Sequence, residues 1–302
     1  MAIPRALLWA LVFALPAATG STTQAANLRP SVGPTYVARD LLADRLWDDG
    51  QAEFSIYKGT IERYGKSRAL AAKIIVVKED MDVAQRVKSE TGPVANRTRA
   101  VLKLNYLRDF NTGTYDYHQM SSTFLNRRTG MLEKLAMSST EGCGITYVQV
   151  LPHSKAWRHV SHSYWDGEAD HARTLAPRAG RTVVAADALP LWLRRLDLTK
   201  AQWFEVDLLP SQVSGRANET KFLPAGIEVV GRAERHGLPV NVLLGGRPDQ
   251  RRTDRYWFDP AWPHALTRFE GGADPTVLTR VKTMRLAYWL KTSPGDERLI
   301  GR

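Results

Sequence analysis

Histidines and acidic residues are concentrated in one short stretch of this sequence. Four of the seven histidines lie between positions 153 and 171, and Asp166, Glu168 and Asp170 lie among them. An Asp-Gly pair favours a two-residue hairpin turn, in which both central positions need positive φ. A hairpin closed at Asp166 and the following glycine would place His162 opposite His171. Two imidazoles at opposed positions could share a metal ion, or one could act as a general base.

The same residues also have a purely structural interpretation. A metal site needs a third and usually a fourth ligand, and a register shift of one residue would send the two histidines to opposite faces. The structural interpretation is favoured. The alternatives are a metal site with His162 and His171 as ligands, and an acid–base site that adds Asp166, Glu168 and Asp170. No G-x-S-x-G, P-loop, H-E-x-x-H, C-x-x-C or G-x-G-x-x-G motif is present, and no cofactor is predicted.

The segments that must position these residues show a hydrophobic pattern with a period of two, which is typical of β-strands. A short helical pattern covers residues 36–47, and from Ala52 onward apolar and polar residues alternate in segments separated by turn residues. This pattern predicts a mainly β protein with one large curved antiparallel meander sheet, either open and barrel-like or split into two half-sheets. One or two short helices are expected, one of them at residues 185–196 with Asp187 as N-cap. Residues 27–302 are expected to form one domain, with possible halves at 44–176 and 198–292.

The first 26 residues have the layout of a signal peptide. Arg5 precedes a ten-residue apolar run, and small residues follow it. No cysteine follows the run, which predicts an exported, periplasmic or secreted protein without a lipid anchor. No later stretch has enough consecutive apolar residues for a membrane-spanning helix. The single cysteine, Cys143, excludes an intramolecular disulfide, and a buried thiol is expected.

Composition excludes several classes of protein. The chain has 302 residues, 43% of them apolar, and a formal net charge of +11, which describes a folded protein rather than a disordered or disulfide-stapled one. The basic residues are scattered along the chain, whereas nucleic-acid binders usually concentrate them on one face or tail. We therefore expect no nucleic-acid partner. The charge remains compatible with an acidic lipid or an envelope polymer.

Several aromatic residues lie in the predicted strands. They are more typical of a core, but a curved sheet could leave some of them facing a ligand cavity. The candidates for such a ligand-binding set are Tyr115, Tyr117, Tyr147, Trp157 and Trp165.

Four segments resemble blocks shared by a family of uncharacterised exported bacterial proteins and lipoproteins. They are WDDGQAEFSIY from Trp47, VLKLNYLRDFNTGTYDYHQMSSTF from Val101, SSTEGCGITYVQV from Ser138 and SHSYWDGEAD from Ser161. The resemblance covers about residues 44 to 175. It implies export and a large antiparallel sheet but no activity. Some members carry the label septum formation inhibitor, which the residues here do not support.

Two functions follow as hypotheses. The first is a non-enzymatic, soluble envelope protein whose concave sheet binds an apolar ligand, such as a lipid or acyl chain, or a partner protein. The alternative is an exported hydrolase, dependent on a metal or on acid–base catalysis, that uses the hairpin with His162 and His171. Oligomeric state cannot be read from the residues.

Overall fold

A computed structural model describes residues 33–37, 40–153, 156–217, 220–245, 253–272 and 275–301. Strands dominate this part of the chain. They are β1 (Ala52–Arg63), β2 (Lys66–Asp82), β3 (Thr98–Asn111), β4 (Asp116–Asn126), β5 (Leu132–Glu141), β6 (Gly144–His153), β7 (Ala156–Ser163), β8 (Asp170–Leu175), β9 (Val183–Ala185), β10 (Gln202–Leu209), β11 (Leu223–Val229), β12 (Leu238–Leu244), β13 (Thr253–Phe258), β14 (Leu266–Glu270) and β15 (Thr276–Leu286).

All fifteen strands belong to a single sheet. Their order is β8-β7-β6-β5-β4-β3-β2-β1-β15-β14-β13-β12-β11-β10-β9. Strands β1–β8 form one run of the meander and β9–β15 form the other, and the two runs meet where β1 pairs with β15. Neighbours are antiparallel except β9 and β10, which are parallel. The sheet is not closed, because β8 and β9 remain at its two ends. The predicted mainly β fold with a large antiparallel sheet is thus confirmed.

The sheet is strongly curved, and its concave face carries the core. Ala72 of β2 pairs with Arg108 of β3, which pairs with Gln119 of β4, and all three side chains are buried on this inner face. Tyr256 of β13 lines the same cavity as Arg108, although many strands separate the two in the sheet. The alternation of inner and outer residues follows directly from the two-residue period of a strand.

A helical segment, residues 186–195, lies against the inner face between the two runs of the meander. It consists of a 3₁₀ turn (Ala186–Ala188), the short helix α1 (Leu189–Trp192) and a second 3₁₀ turn (Leu193–Arg195). The predicted short helix is therefore present, though only α1 is α-helical. Pro190 falls in the first turn of α1, where its missing N–H removes no intrahelical hydrogen bond.

A buried ion pair fixes this segment to β1. The two Nη atoms of Arg194 donate to the two carboxylate oxygens of Glu53 at 2.9 and 2.8 Å, and Nε donates to the Pro263 carbonyl at 2.8 Å. Arg194 is 1% exposed and Glu53 is 4% exposed. The Trp47 ring lies 5.8 Å from the guanidinium carbon of Arg194. The pair of Arg194 and Glu53 thus attaches the helical segment, which connects the two runs, to β1, where the two runs meet.

The helix expected over residues 36–47 is mostly not formed. Within the described residues of that range there is only a 3₁₀ helix, Arg45–Asp48, whose N-cap Asp44 accepts a hydrogen bond from the Leu46 backbone N–H. Asp40 accepts from the Leu42 N–H in the same way, so side chains satisfy the backbone in a turn and compete with a helix. The predicted signal peptide, residues 1–26, lies outside the described residues. No helix in the described part is long and apolar enough to cross a membrane.

Replacing Glu53 with Gln should lower the free energy of unfolding by about 3–5 kcal/mol, because Arg194 would remain buried without a countercharge. Urea unfolding followed by tryptophan fluorescence measures the change. Glu90→Gln is the matched control: Glu90 pairs with Lys88 on the exposed surface, and its loss should change stability little. Equal effects of the two substitutions would contradict a dominant role for the buried pair.

Candidate functional site

The hairpin that carries the predicted histidine pair has a different register from the one expected. His162 pairs with Asp170, and Ser161 pairs with His171, so the two histidines lie on opposite faces of the sheet. Gly167 has a φ of 74°, but Asp166 is not among the residues with positive φ. The turn is therefore not the type that needs positive φ at both positions, and the ladder ends at the pair His162 and Asp170, one residue out of the predicted register.

The predicted acid–base residues are dispersed as a result. His162 is exposed on the outer face, where its Nδ1 lies 2.8 Å from Asp170, which is also exposed. His171 lies half-buried on the inner face, and Asp166 is exposed in the turn. Within the described part of the chain, no group of three or more His, Cys, Asp or Glu side chains could hold a metal ion.

Glu168 and Trp165 instead hold a loop against the sheet. Residues 210–217 of the β10–β11 connection lie over the inner face of β4–β7 and are called the inner loop below. Glu168 accepts hydrogen bonds from the Arg216 side chain, the Ala217 N–H at 2.8 Å and the Ser163 hydroxyl at 3.1 Å. The indole N–H of Trp165 donates to the Gly215 carbonyl at 2.6 Å.

The other aromatic candidates are divided between the two faces. Tyr117 is fully buried and stacks on Phe110 with ring centroids 4.5 Å apart, and Tyr115 lies next to it. Trp157 is buried on the inner face. Tyr147 lies on the outer face beside His162. Neither these four nor Trp165 are among the described residues that line the larger cavity.

That larger cavity, here called the main cavity, is enclosed between distant strands of the curved sheet, the helical segment and the inner loop. Its volume is about 360 Å³, within the range typical of small-molecule sites. Its walls are largely apolar and come from both runs of the meander: Ile61, Ile74, Phe110, Leu208, Val213, Leu244, Leu266, Phe269 and Leu278.

Buried polar groups form part of the cavity wall and hold the inner loop in place. Arg108 donates to the Gln119 side chain and, at 3.1 Å, to the Val213 carbonyl. Asp187 accepts from the Ser211 hydroxyl and, at 3.0 Å, from the Gln212 N–H. Burial raises the pKa of Asp187 above its usual value despite these donors. The cavity therefore has an apolar lining interrupted by polar groups that already bind each other.

Arg63, which lines the main cavity, forms a cluster with Tyr64, Tyr115 and Tyr117 that is called the mouth cluster below; the three tyrosines lie beside Arg63 and are not among the described lining residues. The Tyr64 hydroxyl lies 2.8 Å from that of Tyr117 and 3.2 Å from that of Tyr115. Arg63 donates to the Tyr117 hydroxyl at 3.2 Å, and its guanidinium lies over the rings of Tyr64 and Tyr117. Arg63 itself lines the cavity. Three phenols and one guanidinium thus converge at this end of the sheet.

The turn that presents Tyr64 is strained. Tyr64 and Gly65 connect β1 to β2 with φ values of 55° and 65°. Glycine adopts this left-handed conformation freely, but an aromatic residue does so rarely and at a cost in energy. The surroundings must therefore hold Tyr64 in place, and its two phenolic hydrogen bonds contribute to doing so.

A smaller cavity of about 250 Å³ lies beneath the inner loop, with Val148, Gln212 and Arg216 among its lining residues. His159 is buried nearby, and its Nε2 lies 3.1 Å from the Gln212 side-chain oxygen. Cys143 was expected to be buried, but it is exposed. The reason is local, since it occupies the two-residue turn between β5 and β6, where Glu141 pairs with Gly144.

Sequence reasoning missed the residues that form the main cavity. Most of them are ordinary strand residues whose cavity position depends on pairing between segments far apart in the chain. Arg63 and Tyr64 had one usable signal, a basic and an aromatic residue directly before a glycine turn. Asp187 was predicted only as the N-cap of the short helix, and this is wrong: the N-cap of α1 is Ala188, without a side-chain hydrogen bond, and Asp187 lies inside the preceding 3₁₀ turn, where its carboxylate binds the inner loop.

No family model and no curated protein matches the chain. A solved structure from Brucella abortus, described as a beta-barrel-like protein of a domain of unknown function, DUF1849, is similar with a TM-score of 0.46 and 8% sequence identity. The alignment covers 78% of this chain and 98% of that one.

The Glu168→Gln substitution should loosen the inner loop, because a charged acceptor of several hydrogen bonds becomes neutral. Hydrogen–deuterium exchange of peptides covering residues 210–217 should speed up by about tenfold or more, since hydrogen bonds to charged groups contribute about 1.5–3 kcal/mol. Asp170→Asn, on the exposed side of the same hairpin, serves as the control. Unchanged exchange in Glu168→Gln would show that the loop is held by other contacts.

His159 should make the protein less stable in mild acid. Burial lowers the pKa of His159 below the usual 6.5. Just below pH 6.5, this histidine is therefore protonated in the unfolded chain but stays largely neutral in the folded protein. The stabilisation is present above pH 6.5 and is lost as the pH falls, by at most about 1.4 kcal/mol between pH 6.5 and 5.5. Urea unfolding at these two pH values should show a smaller loss in His159→Gln than in the wild type. The exposed His162→Gln variant should keep the wild-type loss, and equal losses in all three proteins would refute the assignment.

Proposed function

We propose that this protein is a non-enzymatic binding protein of the bacterial cell envelope that holds a small, largely apolar molecule in the main cavity. The observation that carries the proposal is the cavity itself. It is lined by apolar side chains from both runs of the meander, and it has a volume of about 360 Å³. A lipid or an acyl chain is the class of molecule that gains most from burial against such walls.

The inner face favours a small ligand over a partner protein. The inner loop and the helical segment already cover much of the concave surface and are tied to it by buried contacts such as Arg194 with Glu53 and Thr146 with the Gly215 carbonyl. A folded partner would have to displace both elements, whereas a small molecule needs only the space between them.

The hydrolase alternative gains no support from the hairpin. Its two histidines lie on opposite faces, and Glu168 is engaged in holding the inner loop. A binding role requires no convergence of these side chains, so it accounts for their positions more simply.

Export to the envelope rests on the N-terminal residues and on the resemblance to exported bacterial proteins, and both stay predictions. The proposal joins the predicted export to the observed cavity, because an exported protein that holds an apolar molecule needs an enclosed site to keep that molecule out of water. Its binding function does not depend on the compartment.

Binding can be tested with the neutral fluorescent probe N-phenyl-1-naphthylamine. The wild type should bind one probe molecule with saturable fluorescence. Ala186 is half-buried and lines the cavity, so Ala186→Leu should fill part of the space and weaken binding by about tenfold, equivalent to about 1.4 kcal/mol. Ala71 is exposed on the outer face of β2, and Ala71→Leu should leave binding unchanged.

Two results would count against the proposal. One is fluorescence that rises without saturation, which indicates adsorption to surface patches. The other is equal binding by the wild type and Ala186→Leu, provided that circular dichroism shows both to be folded. Either result would place the probe outside the main cavity.

A further inference from the structure

We propose that the occupant of the main cavity is a single-chain amphiphile whose oxyanion head group, a carboxylate or a phosphate monoester, is held at the mouth cluster by Arg63. This inference rests on the proposed function and adds the class of ligand and its orientation. The tail lies among the apolar walls, and the head group lies at the end of the cavity next to the turn between β1 and β2.

The first argument is the charge of Arg63. It is half-buried, and no carboxylate of the described residues forms an ion pair with it. Its guanidinium donates a hydrogen bond to the neutral phenol of Tyr117, and its Nε is buried without a partner. By contrast, Arg194 and Arg280 on the inner face each pair with a carboxylate. A planar guanidinium with unused donors is well suited to binding an oxyanion.

The second argument is the group of phenols around it. The Tyr64 hydroxyl lies between those of Tyr115 and Tyr117, at hydrogen-bond distances of 3.2 and 2.8 Å. A network of three hydroxyls can turn a donor toward an anion by rotating O–H bonds, without moving the rings. Tyr64 contributes to this network only because the chain keeps it in a strained left-handed turn. Strain of this kind is typical of functional positions.

The electrostatic environment of the mouth cluster favours negative charge. Hydrogen bonds from Tyr115 and Tyr117, together with the charge of Arg63, lower the pKa of Tyr64, which means that the cluster stabilises negative charge on oxygen. The rest of the cavity lining includes one further cation, Arg108, and the acidic residues Glu62, Asp187 and Asp254. Arg108 already donates to two protein acceptors, so among the described lining residues Arg63 is the cation with a buried donor that has no partner.

A buried carboxylate, that of Glu141, lies close to the mouth cluster. Burial and the nearby Glu141 carboxylate raise the pKa of Tyr117 well above its usual value, so this phenol stays protonated. Glu141 is 8% exposed, and its buried oxygens have no hydrogen-bond partner in the described part of the chain. Glu141 is not among the described residues that line the main cavity, whereas Arg63 is.

The mouth cluster is continuous with the apolar walls. Ile61, two residues before Arg63 on β1, lines the main cavity, and so does Phe110, on which Tyr117 stacks. A molecule with its head group at Arg63 can therefore place its tail between Ile61 and Phe110 without crossing a polar gap.

The test compares ligands that share one tail. Decanoate, decyl phosphate and decanol are titrated by calorimetry into the wild type, Arg63→Gln and Lys58→Gln. Lys58 is an exposed residue on the outer face of the same strand, so its variant removes the same charge without touching the cavity. Arg63→Gln should weaken binding of at least one anionic ligand by about tenfold or more and leave decanol binding unchanged. Lys58→Gln should behave as the wild type.

Each outcome is decisive. Unchanged decanol binding by Arg63→Gln shows that the cavity is intact, so a selective loss of the anion supports the proposal and the tighter anion identifies the head group. Equal loss of decanol and anions, equal losses in both variants, or no loss at all overturns the head-group assignment. If the wild type binds none of the three ligands while N-phenyl-1-naphthylamine still binds, the amphiphile class is wrong but the binding function stands; if nothing binds, both fail.

Discussion

Arg194 and Glu53 are both buried in the protein interior, and neither charge would be tolerated there without the other. Their two parallel hydrogen bonds hold the helical segment against β1, the strand on which both runs of the meander converge. The remaining inner-face contacts depend on that attachment. The segment carries Asp187, Asp187 anchors the inner loop, and the loop completes the wall of the main cavity. A sheet with two free ends thus encloses space through polar contacts in its interior rather than through closure of its strands.

The strands were predictable from the sequence because their alternation is local, and most expected segments are strands in the structure. The short strand β9 was missed, because three residues give too little alternation to recognise, whereas β8 was anticipated as the second strand of the histidine hairpin. The histidine hairpin shows a different limit. A register depends on the φ of a single residue, Asp166, and on contacts of Trp165 and Glu168 with a loop fifty residues away. The exposed Cys143 likewise follows from a turn position, which overrides the usual preference of a thiol for burial.

The candidate site was less predictable than the fold because its parts come from distant positions. Arg63 and Tyr64 lie at the end of β1, whereas Tyr115 and Tyr117 lie near the start of β4, and only the curved sheet brings the four together. The proposed site therefore combines an apolar volume that any large curved sheet can create with a charged, strained mouth that this sequence specifies. The first part explains why a tail would bind. The second explains which molecules would bind and in which orientation.

A crystal structure of the protein grown with saturating decanoate tests this account most directly. We predict a decanoate in the main cavity, with its carboxylate hydrogen-bonded to the Arg63 guanidinium and its tail beside Ile61 and Phe110. The fold around Glu53 and Arg194 should be unchanged. An empty main cavity at saturation, or a ligand bound only on the outer face of the sheet, would contradict the central claim.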